Sequence, residues 1–127
     1  MNELSTKGLN DSHFHILEMS KKELNIEDFL EKWESDGGYN LIDIGITEND
    51  YSKSKLYSDN YDYIYHTVGI HPNNTGGDIE DRFKILELNL TNDTDNKIVG
   101  IGETGLDYYW DTVPKDIQKQ FFISHIK

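Results

Sequence analysis

Apolar and polar positions along the chain switch between two periods. Ile26, Phe29, Leu30 and Trp33 recur at helical spacing behind a capping Asn25 and stop at Gly37-Gly38, which predicts one helix. Ile79, Phe83, Leu86 and Leu90 form the same kind of face behind Asp78, and Pro114 opens a last helix carrying Ile117, Phe121 and Phe122. Between these lie short apolar runs bounded by turn residues: a first segment ending in Leu9-Asn10-Asp11, then Tyr39 to Ile46, Tyr63 to Ile70 and Ile98 to Gly102. The polar stretch Glu48 to Asp62 fits neither period. Strand and helix therefore alternate, the order of an α/β fold. The runs around Ile42 and Val99 are apolar on both parities, as expected of parallel strands with helices on one face and a closed core on the other. The count is about four βα units of the kind that build an eightfold TIM barrel, which usually takes about 250 residues. At 127 residues, this single domain, 1–127, has the length of the first half of such a barrel.

Composition narrows the chemistry. The chain has no cysteine, which removes disulfides, thiolate nucleophiles and thiolate metal sites, and leaves oxygen and imidazole as reactive groups. The formal charge is −12 and Arg82 is the single arginine, which disfavours nucleic-acid binding through a basic surface. An anionic substrate would need a local positive centre such as metal ions. No apolar run approaches the roughly 20 residues of a membrane helix, and Met1 to Lys7 lacks the apolar stretch of a secretion signal. A soluble, cytoplasmic protein is expected. The absence of alanine is read as coding bias, without functional meaning.

Titratable groups gather where strands should end. In Asp11-Ser12-His13-Phe14-His15, an extended backbone turns both imidazoles to one side, within reach of one cation, and Phe14 toward the packing. A lone His-x-His also reads as ordinary surface or hydrogen-bonded histidines, so the later segments decide. Gly69-Ile70-His71-Pro72 and Gly102-Glu103-Thr104-Gly105 each put a titratable group just past a parallel strand, the end that carries barrel active sites. His71 is also open to reading as part of an ordinary His-Pro turn. Glu103, directly behind strand residues, is costly to desolvate as a lone anion and is best compensated by a cation or a strong hydrogen-bond network. His66 inside its strand and His125 in the last helix read as packed residues.

Through these three ordered motifs, continued by Leu106-Asp107-Tyr108-Tyr109, the chain resembles the TatD family of metal-dependent deoxyribonucleases, of the amidohydrolase-like barrels. The resemblance runs from about Asp11 to the end, where Gln118 to Lys127 is similar to the family helix before its fifth strand. It implies that His13 and His15 are ligands of one metal and that Glu103 is a catalytic carboxylate bridging to a second. It further implies that His71 and Asp107 bind substrate, and that Tyr108 and Tyr109 form the pocket wall. One or two divalent ions (Zn²⁺, Mn²⁺ or Mg²⁺) would be the cofactor, and DNA or a small phosphodiester the substrate.

The family pattern also implies two histidines from the fifth and sixth strands and a water-activating aspartate after the eighth, and this sequence has none of them. The chain is accordingly expected to be a truncated barrel, slow in hydrolysis, with two open sheet edges and exposed apolar area. A partner segment or a homo-oligomer would complete it. Two other readings stay open: an inactive fragment or interaction module, and a related hydrolase acting on a small amide or ester.

Overall fold

In a computed structural model, the structure describes residues 7–127. Residues 1–6, which belong to the polar N-terminal stretch, lie outside the described residues. Four parallel strands, β1 (Asp11–Phe14), β2 (Leu41–Ile44), β3 (Ile64–Val68) and β4 (Ile98–Ile101), form one sheet in the order β1-β2-β3-β4. Five helices connect and follow them: α1 (Ile16–Lys21), α2 (Ile26–Ser35), α3 (Asp50–Asn60), α4 (Ile79–Asn92) and α5 (Lys115–Ile126). This is the α/β architecture of the first part of a TIM barrel. Among the described residues no helix is long and apolar enough to cross a membrane.

The helix signals translate directly. Asn25 accepts the amide of Asp28 at 3.0 Å and starts α2, whose Ile26, Leu30 and Trp33 are buried against Phe14, Leu41 and Ile64. Gly38 is obligatory after α2, since a Cβ there would stand 2.3 Å from the Trp33 ring. Asp78 caps α4 in the same way, through the amide of Asp81. A second core gathers Tyr51, Val68, Ile70, Leu86 and Phe121 between the sheet and helices α3, α4 and α5.

The structure departs from or completes the expected elements at several points. The first strand does not end at Asp11: the ladder runs from Asp11 through Phe14, because Phe14 is drawn into the core. The second and third strands are shorter than Tyr39 to Ile46 and Tyr63 to Ile70. Past Ile44 the amides of Ile46 and Thr47 turn to the Asp50 carboxylate, and past Val68 the amide of Ile70 turns to His125. Glu48 to Asp62 contains α3, which lacked a periodic apolar signal because two of its three buried positions are serines, Ser54 and Ser58. Leu90, placed on the buried face of α4, is 43% exposed; the face narrows to Leu86 with Ile79 and Phe83 partly covered. The second face of the sheet is exposed among the described residues, as expected of a half-barrel and unlike the closed core of a whole one. Ser12, Ile42, Tyr65 and Val99 line a groove there, and Val99 and Ile101 are 53% and 49% exposed, so helices cover only one side. The short helix α1 was not anticipated.

Two polar clamps tie the loops beyond the strands to the helices. The Arg82 guanidinium holds both Glu48 oxygens at 2.7 Å and also donates to the carbonyls of Asn74 and Gly76. His125 accepts the amide of Ile70 at Nε2 and donates from Nδ1 to the carbonyl of Phe121. Burial pushes the His125 imidazole below its usual value of 6.5, with the Phe121 hydrogen bond opposing. Burial alone would raise the Glu48 carboxyl, but the hydrogen bonds and charge of Arg82 outweigh it and hold the group below 4.5. In both cases the unfolded chain binds the proton more readily. The His125 contribution is therefore complete above pH 6.5 and lost as pH falls through the depressed folded value, and the Glu48 contribution is lost below 4.5. Urea midpoints are expected to fall from pH 7.5 to pH 5.5, and His125→Gln, which can still accept the Ile70 amide, should flatten that step; an equal drop in the variant would contradict the assignment.

Candidate metal centre

The candidate residues come together because the chain continues to hydrogen-bond after the strands have ended. Gly102 donates to the carbonyl of Val68 at 2.9 Å, the normal partner across β3 and β4, but the next amide, Glu103, donates at 2.8 Å to Gly45, past the tip of β2. The chain thus crosses above β3 toward β1. Gly69 permits this crossing: a Cβ on it would stand 2.7 Å from the Gly102 carbonyl carbon and 2.9 Å from the Glu103 oxygen. Gly45 is equally tight, its absent Cβ 2.8 Å from the carbonyl oxygen of Thr67. The amide of His71 joins the same tip by donating to Ile46 at 2.9 Å.

Glu103 arrives between two histidines, with one oxygen 3.7 Å from His13 Nε2 and the other 3.7 Å from His71 Nε2. These separations exceed hydrogen-bond length. His13, His15 and Glu103 each offer a ligand atom, and the three atoms lie within 4.8 Å of one another. The His13 and His15 rings stand edge to face, 5.0 Å between centroids. Asp11 accepts the His13 amide at 3.0 Å and holds the strand where His13 projects.

The hydrogen bonds decide which nitrogens are free. His15 Nδ1 lies 2.9 Å from the carbonyl of Ile44, so it carries the proton and leaves Nε2 as a bare donor atom. His71 is the opposite case: its Nδ1 accepts the amide of Asn73 at 3.1 Å, so Nε2 carries the proton. His15 is thus arranged as a ligand and His71 as a hydrogen-bond donor facing Glu103. Two imidazoles and one carboxylate, with the cluster partly open to solvent, fit a divalent cation with coordination positions to spare.

Asp107 is less available. Its oxygens accept Asn73 Nδ2 at 3.0 Å and the amide of Tyr109 at 3.1 Å, while its own amide and carbonyl are held by Gln118. It ties the loop after β4 to the 3-10 turn Pro72–Asn74 behind His71. Tyr109 is 84% exposed, and Tyr108 lies under the Lys115 ammonium at 4.8 Å. His66 is buried and His125 is partly buried in hydrogen-bonded packing, and neither is a member of the cluster. Sequence reasoning missed Gly45, Gly69 and Asn73, whose signal was their position just past an apolar run.

Comparison with known proteins identifies the family. Residues 10–127 match the family model described as TatD related DNase. The chain belongs to the TatD family. It is 33% identical over 117 residues to YabD of Bacillus subtilis, an uncharacterized metal-dependent hydrolase, covering 91% of this chain and 44% of that protein. An uncharacterized metal-dependent hydrolase of Buchnera aphidicola is 34% identical over 125 residues, covering 92% of this chain and 46% of that protein. The crystal structure of YjjV, a TatD homolog from Escherichia coli, shares the fold with a TM-score of 0.73 at 20% identity, over 96% of this chain and 46% of that one. The chain thus spans about half the length of the relatives it matches.

Because the crossing at Gly69 carries Glu103 into place, Gly69→Ala is expected to weaken Mn²⁺ binding at least tenfold in calorimetric titration and to destabilise the fold by about 1–3 kcal/mol. Wild-type affinity in this variant would show that Glu103 does not depend on the crossing.

Proposed function

We propose that this chain carries metal-ligating and substrate-facing residues of a TatD-type hydrolase that cleaves phosphodiester bonds in DNA by a metal-activated water. The observation that carries this reading is the convergence of His13, His15 and Glu103, with His71 turned toward the same carboxylate. Membership of a family described as TatD related DNase supports the choice of substrate. A divalent cation in this cluster would lower the pKa of a water and neutralise charge developing on a phosphoryl oxygen. His13 and His15 would hold it through imidazole nitrogens, and Glu103 would be the carboxylate shared with a second ion. His71 offers Nε2–H to a phosphate oxygen. Asp107 would serve the substrate through the loop it fastens. The cation would also supply the positive centre that a chain of charge −12 otherwise lacks.

A second reading, a binding module without turnover, is favoured by the open sheet face at Val99 and Ile101. In the active form that face would be closed by a partner segment or a second copy of the chain.

The purified full chain is to be incubated with single-stranded DNA and Mg²⁺, Mn²⁺ or Zn²⁺ beside Glu103→Ala. The expected outcome is slow, metal-dependent cleavage by the wild type, lowered to background in the variant, with metal affinity weakened tenfold or more. Equal background in both proteins with metal binding retained would replace hydrolysis by the non-catalytic reading. Unchanged affinity in His13→Ala would remove the metal centre itself.

A further inference from the structure

A buried polar chain lies behind the candidate metal centre, on the helix-covered face of the sheet. Asp43 and His66 are register partners on β2 and β3, and both are buried, His66 to 1% exposure. Asp43 Oδ2 lies 3.1 Å from His66 Nδ1, and His66 Nε2 lies 2.8 Å from Ser58 Oγ on α3. The Tyr51 ring closes over His66 edge to face at 5.2 Å. The other oxygen, Asp43 Oδ1, accepts the amide of Ile16 at 3.0 Å. Ile16 is the residue after His15, and the residue after Asp43 is Ile44, whose carbonyl receives the His15 ring proton at 2.9 Å. Two consecutive residues of β2 thus hold His15, one through the next backbone amide and one through the ring.

Packing does not do this in their place. A cavity of about 210 Å³ opens beside His15, Asp43 and Ile44, leaving the imidazole room to swing away if its hydrogen bonds loosen. A burial cost for Asp43 and His66 is accepted only where partners satisfy them, and here every ring nitrogen and carboxylate oxygen has one.

We propose that the buried Asp43–His66 pair is a positioning device that fixes the backbone at Ile16, and through it keeps His15 in the Nδ1–H tautomer with Nε2 turned to the candidate ion. His66 acts on His15 from a distance, through Asp43 and the Ile16 amide, while Ser58 on α3 holds the far side of its ring. The inference rests on the metal reading only in its affinity readout; the tautomer is a property of the metal-free chain.

The test uses the full-length chain labelled with ¹⁵N and free of metal, with the His15 ring assigned by comparison with His15→Gln. Long-range ¹H–¹⁵N spectra of the wild type are expected to show a single Nδ1–H tautomer. In His66→Phe and in Asp43→Asn the His15 signals should move toward a mixture of tautomers, and Mn²⁺ Kd should rise about tenfold, the lower end of what outer-shell changes produce. His66→Gln, whose amide can still donate to Asp43, should recover part of both effects. Leu86→Ala, a truncation on α4 that removes no hydrogen bond of the Asp43–His66 chain, should lower the unfolding temperature and move neither readout. Should His66→Phe fail to fold, Asp43→Asn and His66→Gln carry the comparison. An unchanged tautomer in these variants, or an equal change in Leu86→Ala, overturns the proposal. If the wild type binds no Mn²⁺, the metal reading fails, and the tautomer comparison still decides this one.

Discussion

One backbone hydrogen bond sets the rest of the site in place: the amide of Glu103 on the carbonyl of Gly45. In a regular parallel sheet, the residue after β4 would continue beside β3, and two strands would stand between its side chain and β1. The bond to Gly45 carries the chain over the tip of β3, and Gly69 makes the passage possible by having no side chain in the way. The consequence is electrostatic as much as geometric. A partly exposed carboxylate is delivered between His13 and His71, in a cluster with His13 and His15 spaced for coordination. Glycine at this point is thus a requirement of position, where a larger residue would separate the acid from the imidazoles.

How much of this could be read from the letters depends on the kind of force involved. The helices α2 and α4 were visible because caps and apolar spacing are local. His13, His15 and Glu103 were visible because a polar group at the end of an apolar run is unusual and because their motifs occur in order. Helix α3 was not visible, since it buries Ser54 and Ser58 against a polar strand residue and therefore shows no apolar period. Asp43 had a signal that went unused: an acid inside Leu41-Ile42-Asp43-Ile44 must find a partner, and the histidine in the facing strand is that partner. The bond of Asp107 to Asn73 depends on a contact 34 residues apart in sequence, which spacing does not encode.

The open face of the sheet has the same origin as the apolar parity of its strands. Val99 and Ile101 have the composition of an interior, and their exposure on β4 leaves apolar surface without cover. Among the described residues the edges at β1 and β4 are unpaired as well, since the order β1-β2-β3-β4 leaves each with one neighbour. The candidate centre sits at the C-terminal ends of these strands, so its coordination is open on the same side as the sheet. A partner segment or second copy that closed the sheet, as proposed above, would also approach the proposed metal centre, and would then couple assembly of the fold to its chemistry.

The two histidines at the ends of β1 and β3 show how the backbone assigns a role to a side chain. His15 gives its Nδ1 proton to a carbonyl and keeps Nε2 bare, whereas His71 receives an amide proton at Nδ1 and therefore presents Nε2–H. Exchanging the carbonyl for an amide reverses the chemistry of the ring without changing the residue. A bare nitrogen can bind a cation but cannot donate to a phosphate; a protonated one can donate but cannot ligate. Glu103, placed near both groups, therefore meets a ligand-bearing side and a donor-bearing side. That polarity follows from the carbonyl of Ile44 and the amide of Asn73, neither of which belongs to a residue that the motifs single out.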